Sequence, residues 1–423
     1  MNKFRLSFIS ILLTLPALIN CKSNKNIFTN PNQIAPYLYE MNYSDYEWDK
    51  DEETLKSLDG VTRLNEGCMA LRTDNFFARN LDLTRHTMPD FIVRVAENKE
   101  KGRHASIATC QFNCMRVDDG GVDANLLKKY TTHQFNILPT HVSDGINDAG
   151  VCISSNVTPH GDTGLLDQNK AGQEHLHMCF VARMVLDYAS SVDEAIELIN
   201  NKNVYGLMNM NELDPLHDDT MEYLIADNNK TVCVSFVNNE TITTVLEGDE
   251  RIITNFEVSK NIDAIRDNKT ERKDYTEYAT GVERFNIARK NYNGLKSNNT
   301  DGELRQLMIK CLMTLVYDMG AIHKYYNREP NSNMWISEYM PKSWSEDYEA
   351  QRETEGAREA KAMLERLIKR APTFLEALYT DYRGEDYSGY ITYHTAIYDI
   401  NNKILKINSQ ENFYNTFEFT LLE

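Results

Sequence analysis

The sequence is short of positive charge. Its 423 residues include 63 aspartates and glutamates against 45 lysines and arginines, so the formal net charge is −18. A field of that sign repels phosphate backbones and anionic lipid headgroups. We therefore expect no nucleic-acid partner, and the acidity carries no information about a reaction.

Apolar runs long enough to span a bilayer are also missing. The run over residues 8–18, which follows Lys3 and Arg5, is much shorter than the roughly 20 apolar residues of a membrane-spanning helix. A basic start followed by a short apolar core predicts an export signal peptide over residues 1–20.

The residues after this signal favour a lipoprotein. Residues 18–21 (Leu-Ile-Asn-Cys) resemble a bacterial lipobox, in which the thiol of Cys21 would be acylated and Cys21 would become the N-terminus. The alternative is an ordinary signal peptide with an incidental cysteine. Residues 21–67 are polar and acidic with little periodicity, which predicts a linker or pro-segment.

The eight cysteines show no paired zinc-site spacing. Cys110 and Cys114 could pair with each other or share a metal with histidines such as His104 and His133, but no second cysteine pair repeats their spacing. We expect neither a metal nor a cofactor. Other cysteines lie in apolar runs and are expected in the core, namely Cys152, Cys233 and Cys311.

A catalytic histidine beside a cysteine is missing as well. None of the ten histidines lies in a papain-like or caspase-like neighbourhood of a cysteine. A nucleophile at the start of a mature chain needs no histidine, because its own α-amine, with an ordinary pKa of about 8, serves as base and acid. Gly67-Cys68 joins the acidic segment to the first predicted strand. We therefore predict cleavage after Gly67 and attack by Cys68.

Strand signals at both ends of the chain and helix signals between them predict an α+β protein without internal repeats. Residues 68–72 and 76–80 predict a hairpin around a turn at 73–75. Further strands are predicted at 91–95, 104–110, 150–157, 223–227, 232–237, 241–245, 389–399, 403–407 and 413–421, and helices at 175–188, 191–200, 281–292, 302–317 and 348–371.

Five segments resemble, in order, the choloylglycine hydrolase family, which includes bile salt hydrolases, penicillin V acylases and related linear amide hydrolases. They are residues 67–82, with Gly-Cys-Met-Ala and then Phe-Ala-Arg-Asn-Leu-Asp, residues 144–150, 253–255 and 278–285, and the terminal strands around 398–400. The resemblance implies one catalytic domain over residues 68–423. It also implies the four-layer αββα fold of N-terminal nucleophile hydrolases.

The same resemblance implies roles at the start of the domain. Cys68 is the expected nucleophile, and Asp82 is expected to hold its α-ammonium. Arg79 is expected beside the sulfur, where a cation favours the thiolate.

Three further residues are implied around the reacting carbonyl. Asn255 is expected to donate its side-chain amide to the tetrahedral oxyanion, with Asn156 as a second contributor. Arg284 is expected to complete the polar cluster. The loops around residues 158–173 and 214–220 are polar rather than aromatic, which argues against a dedicated sterol pocket.

These features predict an exported hydrolase of linear carbon–nitrogen amide bonds in small N-acyl compounds, such as bile salts, N-acyl amino acids, N-acyl lipids or penicillin V. One alternative is a bile salt hydrolase proper. Another is a surface lipoprotein that binds acylated ligands without turnover. Lipidated Cys21 predicts a membrane tether before processing, and weak docking of the acidic segment predicts release afterwards. The sequence leaves the oligomeric state open, a homo-oligomer included.

Overall fold

The structure is a computed structural model that describes residues 27–35, 38–48, 67–84, 89–111, 127, 130–160, 166–168, 170–206, 218–267, 281–295, 297–312, 390–409 and 415–422. The predicted signal peptide, Cys21, Cys114 and the predicted helix at 348–371 lie outside these residues. Within them, no helix is both long and apolar enough to cross a bilayer.

The described residues contain strands from both ends of the chain, as the sequence predicted. These are β1 (Asn32–Ala35), β2 (Leu38–Tyr43), β3 (Gly67–Arg72), β4 (Phe76–Thr84), β5 (Asp90–Val95), β6 (Ser106–Gln111), β7 (Val142–Asn147), β8 (Cys152–His160), β9 (Leu166–Asp167), β10 (Glu174–His177), β11 (Lys202–Gly206), β12 (Asp218–Ala226), β13 (Thr231–Val237), β14 (Glu240–Val245), β15 (Ile252–Ile253), β16 (Tyr390–Asp399), β17 (Ile404–Ser409) and β18 (Phe417–Thr420).

Helices fill the middle of the chain. The α-helices are α1 (Thr132–Ile137), α2 (Val181–Tyr188), α3 (Val192–Asn200), α4 (Val258–Arg266), α5 (Gly281–Tyr292) and α6 (Asp301–Lys310), and short 3-10 turns lie at Leu138–Thr140, Met178–Phe180 and Gly248–Glu250.

Two large sheets dominate the described part of the chain. Nine strands pair in the order β1-β2-β5-β6-β7-β8-β12-β13-β14, antiparallel except for the parallel pair β2–β5. Six strands pair antiparallel in the order β15-β3-β4-β16-β17-β18. A small third sheet joins β9, β10 and β11.

The two large sheets stack face to face between two layers of helices. Strands β3 and β15 of the smaller sheet contact β8 and β12 of the larger one. Helices α2 and α3 cover the outer face of the larger sheet, and α5 and α6 cover the outer face of the smaller sheet. Each interface is filled by buried apolar side chains. This is the four-layer αββα arrangement predicted from the sequence, which is thereby confirmed.

The predicted hairpin after Gly67 is present. Strands β3 and β4 pair antiparallel, with Gly67 opposite Asp82 and Cys68 opposite Leu81. The backbone N–H of Thr73 donates to the carbonyl of Phe76 at 2.8 Å, which closes the tight turn.

The helix predicted over residues 175–188 is wrong in its first half. Residues 174–177 form β10, which pairs parallel with β11, and α2 begins only at Val181. The ring of His177 accepts a hydrogen bond from the backbone N–H of Cys179, so it caps the short turn between strand and helix. Strand pairing overrides the helical periodicity here. The helix predicted at 302–317 is α6, which begins at Asp301 and ends at Lys310.

The segment before Gly67 is not the irregular linker that the sequence predicted. Within residues 21–67, β1 and β2 extend the nine-stranded sheet, and β2 pairs parallel with β5 along its whole length. Leu38, Met41 and Tyr43 are fully buried. The segment was misjudged because its apolar residues are few, but they alternate on a strand and face the core. The boundary at residue 67 therefore does not separate two structural units.

Tyr46 fixes the end of this segment to the core. Its ring is buried, with the guanidinium groups of Arg103 and Arg183 above it at 4.3 Å and 5.6 Å from the ring centroid. Its hydroxyl donates to the carboxylate of Asp187, and Arg103 also donates to the Tyr46 carbonyl at 3.2 Å. The segment is thus bound through side chains as well as through its strand.

We predict that Tyr46→Phe lowers the free energy of unfolding by about 1–3 kcal/mol, because it leaves a buried Asp187 carboxylate oxygen without its donor. Urea denaturation measures the change. Tyr39→Phe is the matched control, since Tyr39 lies on the same segment and its hydroxyl makes no hydrogen bond among the described residues. Equal losses in the two variants would contradict this account.

Candidate active site

The register of the β3–β4 hairpin sends the side chains around Cys68 to two faces. Side chains alternate along a strand, so Cys68 and Arg79 point into the space between the sheets, and Asp82 points to the helical layer. Arg79 accordingly reaches residues of the larger sheet, and Asp82 reaches Arg284 on α5. Cys68 is therefore held from both sides of its own sheet.

The guanidinium of Arg79 lies at the sulfur. Its Nη2 is 3.0 Å from Cys68 Sγ, and its Nη1 donates to Ser154 Oγ at 3.1 Å and to the carbonyl of Ser143. Its Nε lies 3.6 Å from Asp144 Oδ2. All the charged groups of this set are buried. A fixed cation at this distance favours the thiolate over the thiol.

A buried charge network continues from Arg79. His394 lies between two carboxylates, with Nδ1 2.6 Å from Asp90 Oδ2 and Nε2 3.0 Å from Asp144 Oδ2. Burial alone would lower the pKa of His394, but Asp90 and Asp144 raise it to about 9. Burial would likewise raise the pKa of Asp144, yet the imidazolium and Arg79 hold it below its usual value. His394 comes from β16 and the carboxylates from β5 and β7, so the network joins the two sheets.

Asn255 holds the backbone of Cys68. Its Oδ1 accepts from the backbone N–H of Cys68 at 2.6 Å, and its Nδ2 donates to the carbonyl of Val157 at 2.7 Å. The Cys68 N–H can only donate and the carbonyl can only accept, so the amide orientation is fixed. One of the two Nδ2 hydrogens is directed at Val157. The donation of Asn255 to the oxyanion stays a prediction.

Arg284 completes the cluster on the helical side, as predicted. Its Nη1 donates to Asp82 Oδ2 at 2.6 Å, and its Nη2 donates to the carbonyl of Cys68 at 3.1 Å and to Asn255 Oδ1. The other oxygen of Asp82 accepts from the hydroxyl of Thr392. The structure thus links Asp82 to Cys68 through Arg284. The contact of Asp82 with the α-ammonium of a cut chain stays a prediction.

A glycine lets α5 come close enough to place Arg284. A Cβ on Gly281 would lie 2.8 Å from the backbone carbon of Asn255, and the Gly281 carbonyl accepts from Thr254 Oγ1 at 2.7 Å. Glycine at this position allows the helix to start against the strand end that carries Asn255.

Asn156 places a second side-chain amide near Arg79, through Ser154. Its Oδ1 accepts from Ser154 Oγ at 2.9 Å, and Ser154 in turn accepts from Arg79. Its buried Nδ2 has no hydrogen-bond partner among the described residues. Asn156 was the weaker of the two oxyanion assignments from the sequence, and its Nδ2 is available to donate a hydrogen bond.

The structure brings all six predicted residues into one hydrogen-bonded set and adds others that the sequence did not single out. These are Ser143, Ser154, Asp144, Thr392 and His394. Asp144 opens a segment used for the family resemblance, but it was given no role there. His394 could have been noticed as an ionisable residue inside a strand of otherwise buried character.

The residues considered for a metal are otherwise engaged. Cys110 is buried in β6, and burial raises the pKa of its thiol well above the usual range. His104 Nδ1 lies 2.5 Å from Asp148 Oδ1, and its Nε2 lies 3.2 Å from Ser190 Oγ. No group of three metal-binding side chains occurs in the described ranges. Cys152, Cys233 and Cys311 are buried, as predicted.

A family model supports the resemblance seen in the sequence. The family described as acyl-coenzyme A:6-aminopenicillanic acid acyl-transferase matches residues 71–275, just under half of the chain. The match contains Arg79, Asp82, Asn156 and Asn255, and it begins three residues after Cys68. No curated protein matches the sequence significantly.

Solved structures with a similar chain course come from two kinds of enzyme. A variant of the conjugated bile acid hydrolase from Clostridium perfringens is 14% identical, with 84% of this chain and 92% of that chain covered and a TM-score of 0.42. The penicillin V acylase from Agrobacterium tumefaciens is 11% identical, with 84% and 86% covered and a TM-score of 0.39. These scores are low, so the fold assignment rests on the sheet order and layers described above.

We predict that the free energy of unfolding declines as the pH rises from about 6.5 to about 9. The pKa of His394 is raised on folding, so its contribution is complete below the unfolded value of about 6.5 and is lost as the pH passes through about 9. Urea denaturation across this range measures a slope that approaches about 1.4 kcal/mol per pH unit for one proton.

Burial also raises the pKa of Glu222 to about 8, so this carboxyl adds a decline of the same sign below that pH. The variant His394→Asn should therefore reduce the slope, most clearly above about pH 8. The variant His104→Asn, at a partly exposed histidine beside Asp148, should leave the slope unchanged. A wild-type stability that is flat over this range would show that His394 does not bind the extra proton.

Proposed function

We propose that the chain is a member of the choloylglycine hydrolase family and hydrolyses linear amide bonds of small N-acyl compounds, with Cys68 as the nucleophile. One observation carries the proposal. The guanidinium of Arg79 is 3.0 Å from the Cys68 sulfur, and the Cys68 nitrogen is 2.6 Å from Asn255 Oδ1. Sulfur and nitrogen of one residue are thus each oriented by a buried polar partner, which is what an N-terminal nucleophile requires.

Processing comes first in this proposal. The Cys68 thiolate attacks the carbonyl carbon of Gly67, the carbon–nitrogen bond breaks, and the nitrogen takes a proton to become the free α-amine. Water then hydrolyses the thioester and leaves a carboxylate on Gly67. Asn255 Oδ1 keeps its hydrogen bond to the nitrogen throughout, and the nearby Arg284 cation favours the neutral, basic form of the amine.

Turnover forms and breaks the same kinds of bond, with the substrate amide in place of the Gly67–Cys68 bond. The thiolate attacks the substrate amide carbonyl, and the tetrahedral oxyanion accepts a hydrogen bond from Asn156 Nδ2. The carbon–nitrogen bond breaks, and the leaving amine takes the proton held by the Cys68 α-amine. Water, deprotonated by that amine, hydrolyses the thioester. Loss of one such oxyanion donor typically costs about 100-fold to 1000-fold in rate.

Acyl transfer is the second candidate activity. It is favoured by the description of the matching family, which is an acyl-transferase. The same thioester would then be attacked by an amine in place of water. The two activities are separated by the fate of the acyl group when an amine acceptor is added to the reaction.

The structure changes the expectation for the tether. Release after processing assumed a weakly docked segment, but residues 38–43 form a strand of the main sheet and Tyr46 is buried against Asp187. We therefore propose that the segment remains bound after the cut. Lipid on Cys21 would then continue to hold the processed catalytic chain at the membrane.

We predict that Cys68→Ala stays uncut and inactive. Intact-mass measurement should find the Gly67–Cys68 bond whole, and mass-spectrometric assays on conjugated bile acids, N-acyl amino acids and penicillin V should find no product. Cys110→Ala is the matched control, because Cys110 is equally buried but packs on the helix-covered face of the larger sheet. Turnover by Cys68→Ala would overturn the mechanism. A wild-type chain that stays uncut and binds acylated ligands unchanged would favour the non-catalytic lipoprotein.

We predict that the processed wild-type chain is found in the membrane fraction of a lipoprotein-exporting bacterium. Concentrated urea should release it by unfolding the sheet, whereas 1 M salt should not, since the segment is held mainly by backbone pairing and buried contacts. The variant Cys21→Ser should be processed but soluble. Processed catalytic chain in the soluble fraction of wild-type cells would contradict a retained tether.

A further inference from the structure

Four buried polar side chains lie in adjacent pairs on strands β8 and β12. The register places Glu222 opposite Asn156 and Thr220 opposite Thr158. All four residues are at most 2% exposed. Within the described part of the chain, Asn156 Nδ2 and both threonine hydroxyls form no hydrogen bond. The Glu222 carboxyl lies near the backbone N–H groups of Val258 and Ser259 and the Cys233 thiol. We call Thr158, Thr220 and Glu222 the polar row, with Asn156 at one end.

The polar row faces the space in which the sulfur lies. Ser154, Asn156 and Thr158 alternate along β8 and so share a face, and Ser154 on that face binds Arg79. The carbonyl of Val157 accepts from Asn255, which also holds the Cys68 nitrogen. Thr158 lies about 7 Å beyond Asn156 along the strand. The row therefore begins at the reacting end and extends away from it by roughly the length of one substrate group.

Buried polar groups without hydrogen-bond partners lower the stability of the folded protein. A buried polar group without a partner costs about 1–3 kcal/mol, and native structures keep few of them. Here several stand side by side on one face, next to the proposed nucleophile. A ligand that brings matching donors and acceptors would remove the cost, which is the usual reason for such groups at a binding site.

The chemistry of the row selects an uncharged ligand group. Burial raises the pKa of Glu222 to about 8, and the nearby Glu257 carboxylate adds to the rise, whereas the N–H groups of Val258 and Ser259 and the thiol of Cys233 oppose it. At neutral pH the row thus presents two hydroxyls, which can donate and accept, beside a protonated carboxyl, which can donate. An alkyl chain would leave them unsatisfied, and an anion would be repelled by Glu257.

We propose that the polar row recognises an uncharged hydrogen-bonding group, a hydroxyl or an amide, that the substrate carries next to its scissile amide bond. The preferred substrates are then N-acyl compounds that are polar beside the reacting carbonyl, not plain alkyl or sterol amides. This inference rests on the proposed function and specifies its substrate class.

The test uses Thr158→Val and Thr220→Val, which remove one hydroxyl each at nearly constant volume. The probes are an N-(3-hydroxyacyl)glycinamide, the unsubstituted N-acylglycinamide of equal chain length, and an N-acylserinamide that carries the hydroxyl on the amine side. In the wild type, one hydroxylated probe should exceed the plain one in kcat/KM. Each valine variant should lose about tenfold or more of that advantage.

Thermal unfolding supplies an independent readout. If the hydroxyls are unsatisfied in the free protein, Thr158→Val and Thr220→Val should keep or raise the midpoint temperature, whereas loss of a satisfied hydroxyl would lower it. Thr243→Val, on exposed β14, is the matched control and should change neither stability nor selectivity. A lowered midpoint, or equal losses on all three probes, would overturn the inference.

Failure of the proposed function can be distinguished from failure of this inference. If the wild type turns over none of the probes, nor any compound in the wider panel, the proposed function fails. Calorimetric binding of the three probes to Cys68→Ala protein then decides the inference. Tighter binding of a hydroxylated probe, lost in the two valine variants, would support the polar row, and equal binding of all three would refute it.

Discussion

Buried charge is the constraint on which the rest of this structure depends. Arg79 and Arg284 are almost completely removed from water, and each would cost several kcal/mol if it were left without a partner. Both are compensated by residues that come from other layers, namely Asp144 and Asp82. The position of each layer is therefore tied to the position of a cation, and the two cations meet at one residue, Cys68.

Cys68 is divided between two environments. Its sulfur lies in the space between the sheets beside Arg79. Its backbone nitrogen donates a hydrogen bond to Asn255, and its carbonyl accepts one from Arg284, a residue of the outer helical layer. Chemistry on the side chain and orientation of the backbone are thus assigned to different groups. A change in the shape of the substrate space need not disturb the atoms that hold the amine.

The sequence was sufficient for the strands of the core and for the residues that meet at Cys68, because both leave local signals. Alternation of apolar and polar residues indicated most strands of the core after Gly67, and the Arg-Asn-Leu-Asp segment fixes the spacing of Arg79 and Asp82 after the cysteine. What could not be predicted depends on pairing between distant segments. The direction of the Asn255 amide is set by Val157, the role of His394 by Asp90 and Asp144, and the strand at residues 38–43 by β5.

The parallel pairing of β2 with β5 has a consequence for whether the processed protein can refold after it has unfolded. Before a cut at Gly67, all strands of the larger sheet belong to one polypeptide, so refolding is an event within a single chain. After the cut, two strands, β1 and β2, and the buried rings of Tyr43 and Tyr46 belong to a separate, short peptide. Reassembly then needs an encounter of two molecules and loses the effective concentration that the covalent link supplied. An active molecule that once unfolds in dilute surroundings would seldom recover, so its lifetime would be set by its rate of unfolding rather than by its equilibrium stability.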